Sequence, residues 1–153
     1  MMLETVRFGK IEIDGEKIIY FPAGIYGFEE YHNFILIKID PSGLMYCLQS
    51  TENPELSLCL VNSFAAMPDY DPEVDEEEIA DLETSNPEDI IVLSVAVIPK
   101  NIEDTTVNCT APIFINYNKK IGKQHILSTG EYSVRYKVFE HLKKYASEEG
   151  GKI

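Results

Sequence analysis

The nine residues "IIVLSVAVI" (90–98) hold eight apolar side chains around the single polar Ser94. A membrane-spanning helix needs roughly 18 or more such residues, so this run is too short to cross a bilayer. Rich in Ile and Val, it reads as a central strand covered on both faces. No other feature narrows the fold so far. The flanking segments are also strand-like. "VRFGKIEI" (6–13) alternates Val6 and Phe8, then Ile11 and Ile13 beyond a turn at Gly9. Asp14-Gly15 predicts a tight hairpin turn, with "KIIYF" (17–21) as its returning arm. "FILIKI" (34–39) ends at the turn Asp40-Pro-Ser-Gly43, and "LMYCLQS" (44–50) and "LSLCLVN" (56–62) flank "TENPE". "TAPIFINY" (110–117) and "QHILS" (124–128) complete the set, joined by "NKKIGK".

Six or more short strands with turns at short intervals predict an all-β fold, a barrel or a sandwich. The chain of 153 residues fits one small β-barrel-like domain, expected over 1–147, with 148–153 as a frayed tail. Two helices interrupt the strands. A short acidic one begins at Asp75 as N-cap, with Glu78 at the third position and Val74 set to staple against Ile79, and ends near Glu83. A C-terminal helix over 137–147 places Val138, Phe139, Leu142, Tyr145 and Ala146 on one face and Lys143 and Lys144 on the other.

Charge and cysteine usage narrow the function. The net charge is -13, unevenly spread: residues 1–118 carry 5 basic and 22 acidic side chains, residues 119–153 carry 8 and 4. So acidic a body repels phosphates, which argues against direct nucleic-acid binding and favours a basic protein partner. Only the basic C-terminal stretch, with Lys119, Lys120, Lys123, Arg135, Lys143 and Lys144, offers an RNA-binding alternative. Cys47, Cys59 and Cys109 are odd in number and lack a C-x-x-C spacing, as expected of reduced, buried thiols in a cytoplasm. "MMLETVRFGK" has no apolar core of a signal peptide, so neither a leader nor a membrane segment is expected.

Enzymatic and cofactor motifs are missing. In "FPAGIYGFEEY" (21–31), Gly24 and Gly27 do not make a phosphate cradle: the third glycine and any nearby cation are absent, and Glu29 and Glu30 would repel the ligand. The run 69–89 holds 11 acids and no base, but its calcium-loop imitation fails at Val74 and Ala80, where Gly and Glu are needed. It is a solvated acidic face or an electrostatic docking surface. His32, His125 and His141 show no metal-ligand spacing. A spatial Cys109–His125 pair, in an enzyme or small-ligand carrier using the barrel mouth, stays open as the alternative reading. No cofactor or metal is expected. The strand-end residues Gln49, Ser50, Asn62, Asn108 and Asn116 either bond loop backbone or border a partner surface.

Taken together, "FPAGIYGFE" (21–29), "LQS" (48–50), "MPDYD" (67–71), "SNPEDIIVLSVAVIP" (85–99), "TVNCTAPIFIN" (106–116), "GKQHIL" (122–127) and "YSVR" (132–135) resemble, in order, the flagellar assembly factor FliW family. The C-terminal helix is longer than the tail of many members. The resemblance implies a cytoplasmic, non-enzymatic, barrel-like protein. It would bind the RNA-binding translational regulator CsrA, relieving repression of flagellin synthesis, and would also bind flagellin, so that partners are switched. A monomer is expected. The candidate partner-binding residues are Ile25, Tyr26 and Phe28 on the glycine loop, with Tyr31 beside them. Gln49, Asn108 and Asn116 join them at strand ends, and Asp69, Asp71, Glu76, Glu77 and Asp81 on the acidic run.

Overall fold

Period-two alternation decides which face each side chain takes. The computed structural model describes residues 1–72, 77, 80–127 and 132–150. Its strands are β1 (Met2–Thr5), β2 (Gly9–Glu12), β3 (Ile19–Tyr20), β4 (Asn33–Lys38), β5 (Met45–Ser50), β6 (Ser57–Asn62), β7 (Ile90–Val97), β8 (Thr106–Val107), β9 (Ile113–Asn116), β10 (Ile121–Gln124) and β11 (Tyr136–Lys137). Two helices are labelled, α1 (Ser63–Ala66) and α2 (Phe139–Gly150).

In β7, Ile91, Leu93 and Val95 turn to one apolar layer, whereas Ile90, Val92 and Ala96 turn to another. The strand is covered on both faces, as its composition predicts. Its edges are as fully used. One edge pairs with β6, and the other is shared, first by β9 and then by β8. The route β7–β6–β5–β4–β3–β10–β9 and back to β7 closes a seven-strand barrel, antiparallel except where β3 meets β10. Closure removes the free edges of an open sheet. Phe34, Leu48, Leu60, Leu93, Ile113 and Ile115 fill the interior, each almost fully buried.

Two outer layers complete the core. Val61, Val92 and Phe114 face outward under Met67, Tyr70, Leu82, Leu127 and Val138. On the wall of β4, Ile35 and Ile37 lie under Leu3, Ile11 and Ile13 of the β1–β2 hairpin.

That hairpin corrects the turn expected at Asp14-Gly15. The Thr5 hydroxyl donates to the Gly9 carbonyl and accepts from the Phe8 N–H, both at 2.8 Å, closing the turn five residues earlier with Gly9 at φ 70°. Asp14 instead accepts from the Glu16 N–H and caps a 3-10 turn over Gly15–Lys17. Ile19–Tyr20 is therefore free to pair with β4 and β10. The expected start of the acidic helix, Asp75 with Glu78 and the Val74–Ile79 staple, lies outside the described residues. Glu77 and Ala80 are helical, the Asp81 N–H donates to the Glu77 carbonyl at 3.1 Å, and Glu83 at φ 59° has the left-handed geometry of a helix end. The C-terminal helix runs to Gly150, past the boundary expected at 147, with Val138 buried before it and Lys143 and Lys144 exposed. No helix among the described residues is long and apolar enough to cross a membrane.

The β3–β10 seam is thin. One residue pair, Tyr20 and Ile121, and the Tyr20 N–H to Lys120 carbonyl bond at 2.9 Å join the two strands. Packing supplies the rest. Phe21, wholly buried, lies over the backbone of Gly122 and meets Phe34 edge-on at 5.3 Å between centroids. A Cβ on Gly122 would fall 2.6 Å from the Phe21 ring. Gly122→Ala is therefore expected to destabilise the fold by about 1–3 kcal/mol through overpacking. It should lower the urea midpoint at unchanged slope, and an unmoved midpoint would show that the seam does not depend on this contact.

Candidate functional site

The chain leaves the seam through the glycine loop, and its geometry is fixed residue by residue. The Gly24 N–H returns to the Phe21 carbonyl at 2.9 Å, at φ 71°; a Cβ there would meet the Glu29 backbone at 2.7 Å. The Phe28 N–H donates to the Ile25 carbonyl at 2.7 Å across a turn whose third residue, Gly27, has φ 91°. Glu29 accepts from the Gly27 N–H at 3.0 Å, and that donation holds its carboxyl below the usual range. At the loop's base Glu52 accepts from the backbone N–H groups of His32 and Asn33, at 2.8 and 2.7 Å. These bonds, the His32 donation foremost, lower its pKa as well. A loop of this composition would be loose without such ties.

The loop arches over one mouth of the barrel and walls a groove of about 360 Å³. The floor is made by Leu58 and Val95, both turned to the barrel interior. Ile25, Tyr26 and Phe28 form one wall; Asn108, Thr110 and Ala111 form the other, with Ile126 and Val134 at the rim. The surface is overwhelmingly apolar, and Tyr26, Ile126 and Val134 are more than half exposed, at 54%, 52% and 59%. Gln124 crosses between the walls. Its Oε1 accepts from the Tyr26 N–H and its Nε2 donates to the Ala111 carbonyl, both at 3.0 Å. Asn108 stiffens the second wall by accepting from the N–H groups of Thr110 and Ala111.

Four of the candidate residues, Ile25, Tyr26, Phe28 and Asn108, thus share one site. The others are dispersed. Gln49 is fully buried, its amide nitrogen donating to carbonyls of the 50–56 loop, with the Ser50 and Leu56 carbonyls at 3.1 Å. Asn116 is also buried, donating to the Leu82 carbonyl at 2.8 Å. Asp69 lines a separate hollow of about 190 Å³ beside Tyr70, Cys109 and His141. Asp71 is exposed, its carbonyl bonded to the Tyr132 hydroxyl at 2.9 Å. Glu77 is exposed, Asp81 pairs with Lys123 at 3.1 Å, and Glu76 lies outside the described residues. Of the alternative pair, Cys109 is buried with its thiol on the Met67 sulfur, and burial pushes its pKa up to about 11. His125 stacks on Phe114. A thiol so poorly ionised is a weak nucleophile.

The FliW protein family model matches residues 2–138. This chain belongs to the FliW family. Relatives described as flagellar assembly factor FliW include one from Desulfitobacterium hafniense, 38% identical over 99% of this chain and all of its own length. Another, from Caldicellulosiruptor saccharolyticus, is 38% identical over 88% of each chain. A crystal structure of the flagellar assembly factor FliW superposes with a TM-score of 0.83 at 31% identity, covering 91% of this chain and 97% of the other. The family match ends just before α2, while the Desulfitobacterium relative aligns along the tail as well.

Sequence reasoning found the glycine-loop wall of the groove but missed its rim. Val134 stands alone between Ser133 and Arg135, and Ile126 belongs to the short run Ile126-Leu127, so nothing in their spacing marks either as a rim residue. Gln124 was missed too, since its role exists only when residues 98 positions apart meet. Gln124→Ala should speed hydrogen exchange of the Tyr26 amide roughly fivefold, the value of about 1 kcal/mol for one hydrogen bond. Gln124→Glu keeps the acceptor and should preserve that protection. Equal exchange in all three proteins would show that the tie does not hold the loop.

Proposed function

We propose that this chain is a non-enzymatic, cytoplasmic factor of flagellar assembly that switches between two protein partners, flagellin and a CsrA-type RNA-binding regulator. One observation carries the proposal: a preformed apolar groove at the barrel mouth of an otherwise strongly acidic protein. An amphipathic helix docks by laying its apolar face into such a groove. Flagellin's terminal segments are helices of that kind, left without their filament neighbours before export. The half-exposed Tyr26 is the natural anchor, since buried aromatics dominate binding energies at interfaces.

The second partner follows from charge. A regulator that binds RNA presents cationic surface, and a protein carrying 22 acids against 5 bases over residues 1–118 can dock beside it. Once docked, its exposed Asp69, Asp71 and Glu77 repel the RNA backbone. Each such charge costs the RNA a few tenths to about 1 kcal/mol, depending on screening. Relieved repression of flagellin synthesis is the outcome. The same charge opposes direct nucleic-acid binding by this chain, and the thiol chemistry of Cys109 opposes the enzyme reading.

Two measurements test the two halves. Tyr26→Ala should weaken binding of a flagellin terminal-helix peptide about tenfold or more, at an unchanged melting temperature. A lower melting temperature with binding intact would make Tyr26 a plug instead. Neutralising Glu76, Glu77 and Asp81 to Gln and Asn should weaken inhibition of RNA binding by the regulator more than it weakens binding to the regulator itself. Undiminished inhibition would sink the electrostatic half.

A further inference from the structure

Two thiols stand opposite one another on the barrel's outer wall. Cys47 in β5 and Cys59 in β6 are direct cross-strand partners, and both are free. The hydrogen-bond ladder fixes what kind of pair they make. The Ser50 N–H donates to the Leu56 carbonyl at 2.9 Å, and the Asn62 N–H donates to the Leu44 carbonyl at 2.8 Å. Both mark hydrogen-bonded pairs, and the two kinds alternate along an antiparallel ladder. Counting inward from either end makes Cys47–Cys59 a non-hydrogen-bonded pair. The Cα atoms of such a pair lie about 4.5 Å apart, within the roughly 4.4–6.8 Å that a disulfide bridges. The two Cβ atoms leave the sheet on the same face, where Met45 and Val61 also point.

We propose that Cys47 and Cys59 form a thiol–disulfide exchange site for low-molecular-weight disulfides. The two sulfurs are unequal. Cys59 is partly exposed, whereas Cys47 is wholly buried. Cys59 thiolate attacks one sulfur of the small disulfide RSSR, breaking its S–S bond and releasing RS⁻, which takes up the proton Cys59 gave away. Cys47, deprotonated in turn, attacks the Cys59 sulfur of the mixed disulfide and expels the second RSH. The two protein thiols are oxidised by two electrons, and RSSR is reduced to two RSH. Burial holds both thiols above their ordinary pKa and the Arg7 charge pulls both back down, so exchange quickens as pH rises. Cys109 takes no part, being almost wholly buried with its thiol on the Met67 sulfur. The bond fastens β5 to β6 next to Leu58, whose side chain forms the floor of the mouth groove.

The test uses the full, reduced chain and oxidised glutathione at mildly alkaline pH, followed by intact mass and by cleavage at Glu52 and Glu55, which lie between the two cysteines. The wild type should lose two hydrogens and stay joined after cleavage. Cys47→Ser should stop at a single glutathione adduct on Cys59, and Cys59→Ser should show neither product. Cys47→Ala, which keeps the wall apolar, repeats the trapping if the serine variant misfolds. A stable adduct on Cys59 in the wild type, an adduct on Cys109, or no reaction over the time in which the unfolded chain oxidises would each overturn the proposal.

Discussion

The barrel depends on its closure between β3 and β10, where a single residue pair and one further backbone bond meet. Ring closure through so short a parallel contact would be weak if hydrogen bonds alone held it, since each contributes only about 1 kcal/mol net. Phe21 changes the balance. Complete burial of its ring contributes about 1.5–3 kcal/mol, and it reaches the seam only because Gly122 has no side chain. The consequence runs directly to the candidate site. The residue that seals the wall is the first of the loop that carries Ile25, Tyr26 and Phe28 over the mouth. Closure of the fold and placement of the groove are one event.

The loop also shows how a glycine-rich segment can be held in one conformation. Binding costs less when the binding surface is already ordered. Gly24 and Gly27 supply the left-handed conformations, while Glu29, Glu52 and Gln124 remove the freedom that glycines bring. Two of these anchors are carboxylates that accept backbone N–H bonds, and those bonds favour the charged form and lower each pKa. Asp40 behaves alike at the 40–43 turn. Burial opposes its charge, yet donations from Ser42, Met45 and Leu44 outweigh that cost and leave its carboxyl lowered.

Much of this architecture is legible in the sequence where the signal is local. The two-faced character of β7 follows from "IIVLSVAVI", and the strands on either side of the 40–43 and 51–55 turns follow from alternation and turn chemistry. Asp14-Gly15 misleads because Asp has two uses, turn former and cap, and Thr5 had already closed the hairpin. Barrel closure is not legible: the contact of Tyr20 with Ile121 spans a hundred positions and leaves no periodic trace. The same holds for the groove, whose Ile25 wall is marked by its odd composition while its Ile126 and Val134 rim is not. Polar strand ends are ambiguous by nature. Asn108 faces the groove, but Gln49 and Asn116 are buried and bond loop carbonyls, and residue type alone does not separate these fates.

The acidic composition therefore divides into two populations with different physics. Asp14, Glu29, Asp40 and Glu52 are committed to backbone donors, and removing their charge would loosen turns before it altered any long-range field. Asp69, Asp71 and Glu77 are exposed, with no side-chain bond that ties their charge to the fold among the described residues. Asp81 is intermediate, since it pairs with Lys123 at 3.1 Å while its own side chain stays largely exposed. Only the second population could change its interactions on meeting the proposed cationic partner, because its charges are solvated and their field reaches outward. All three of its residues lie in the interval 69–89, which contributes Asp69 and Tyr70 to the separate hollow and no described residue to the lining of the groove. The exposed acids Asp69, Asp71 and Glu77 and the apolar lining of the groove thus belong to different sets of residues, so the proposed cationic and apolar partners would draw on separate chemistry.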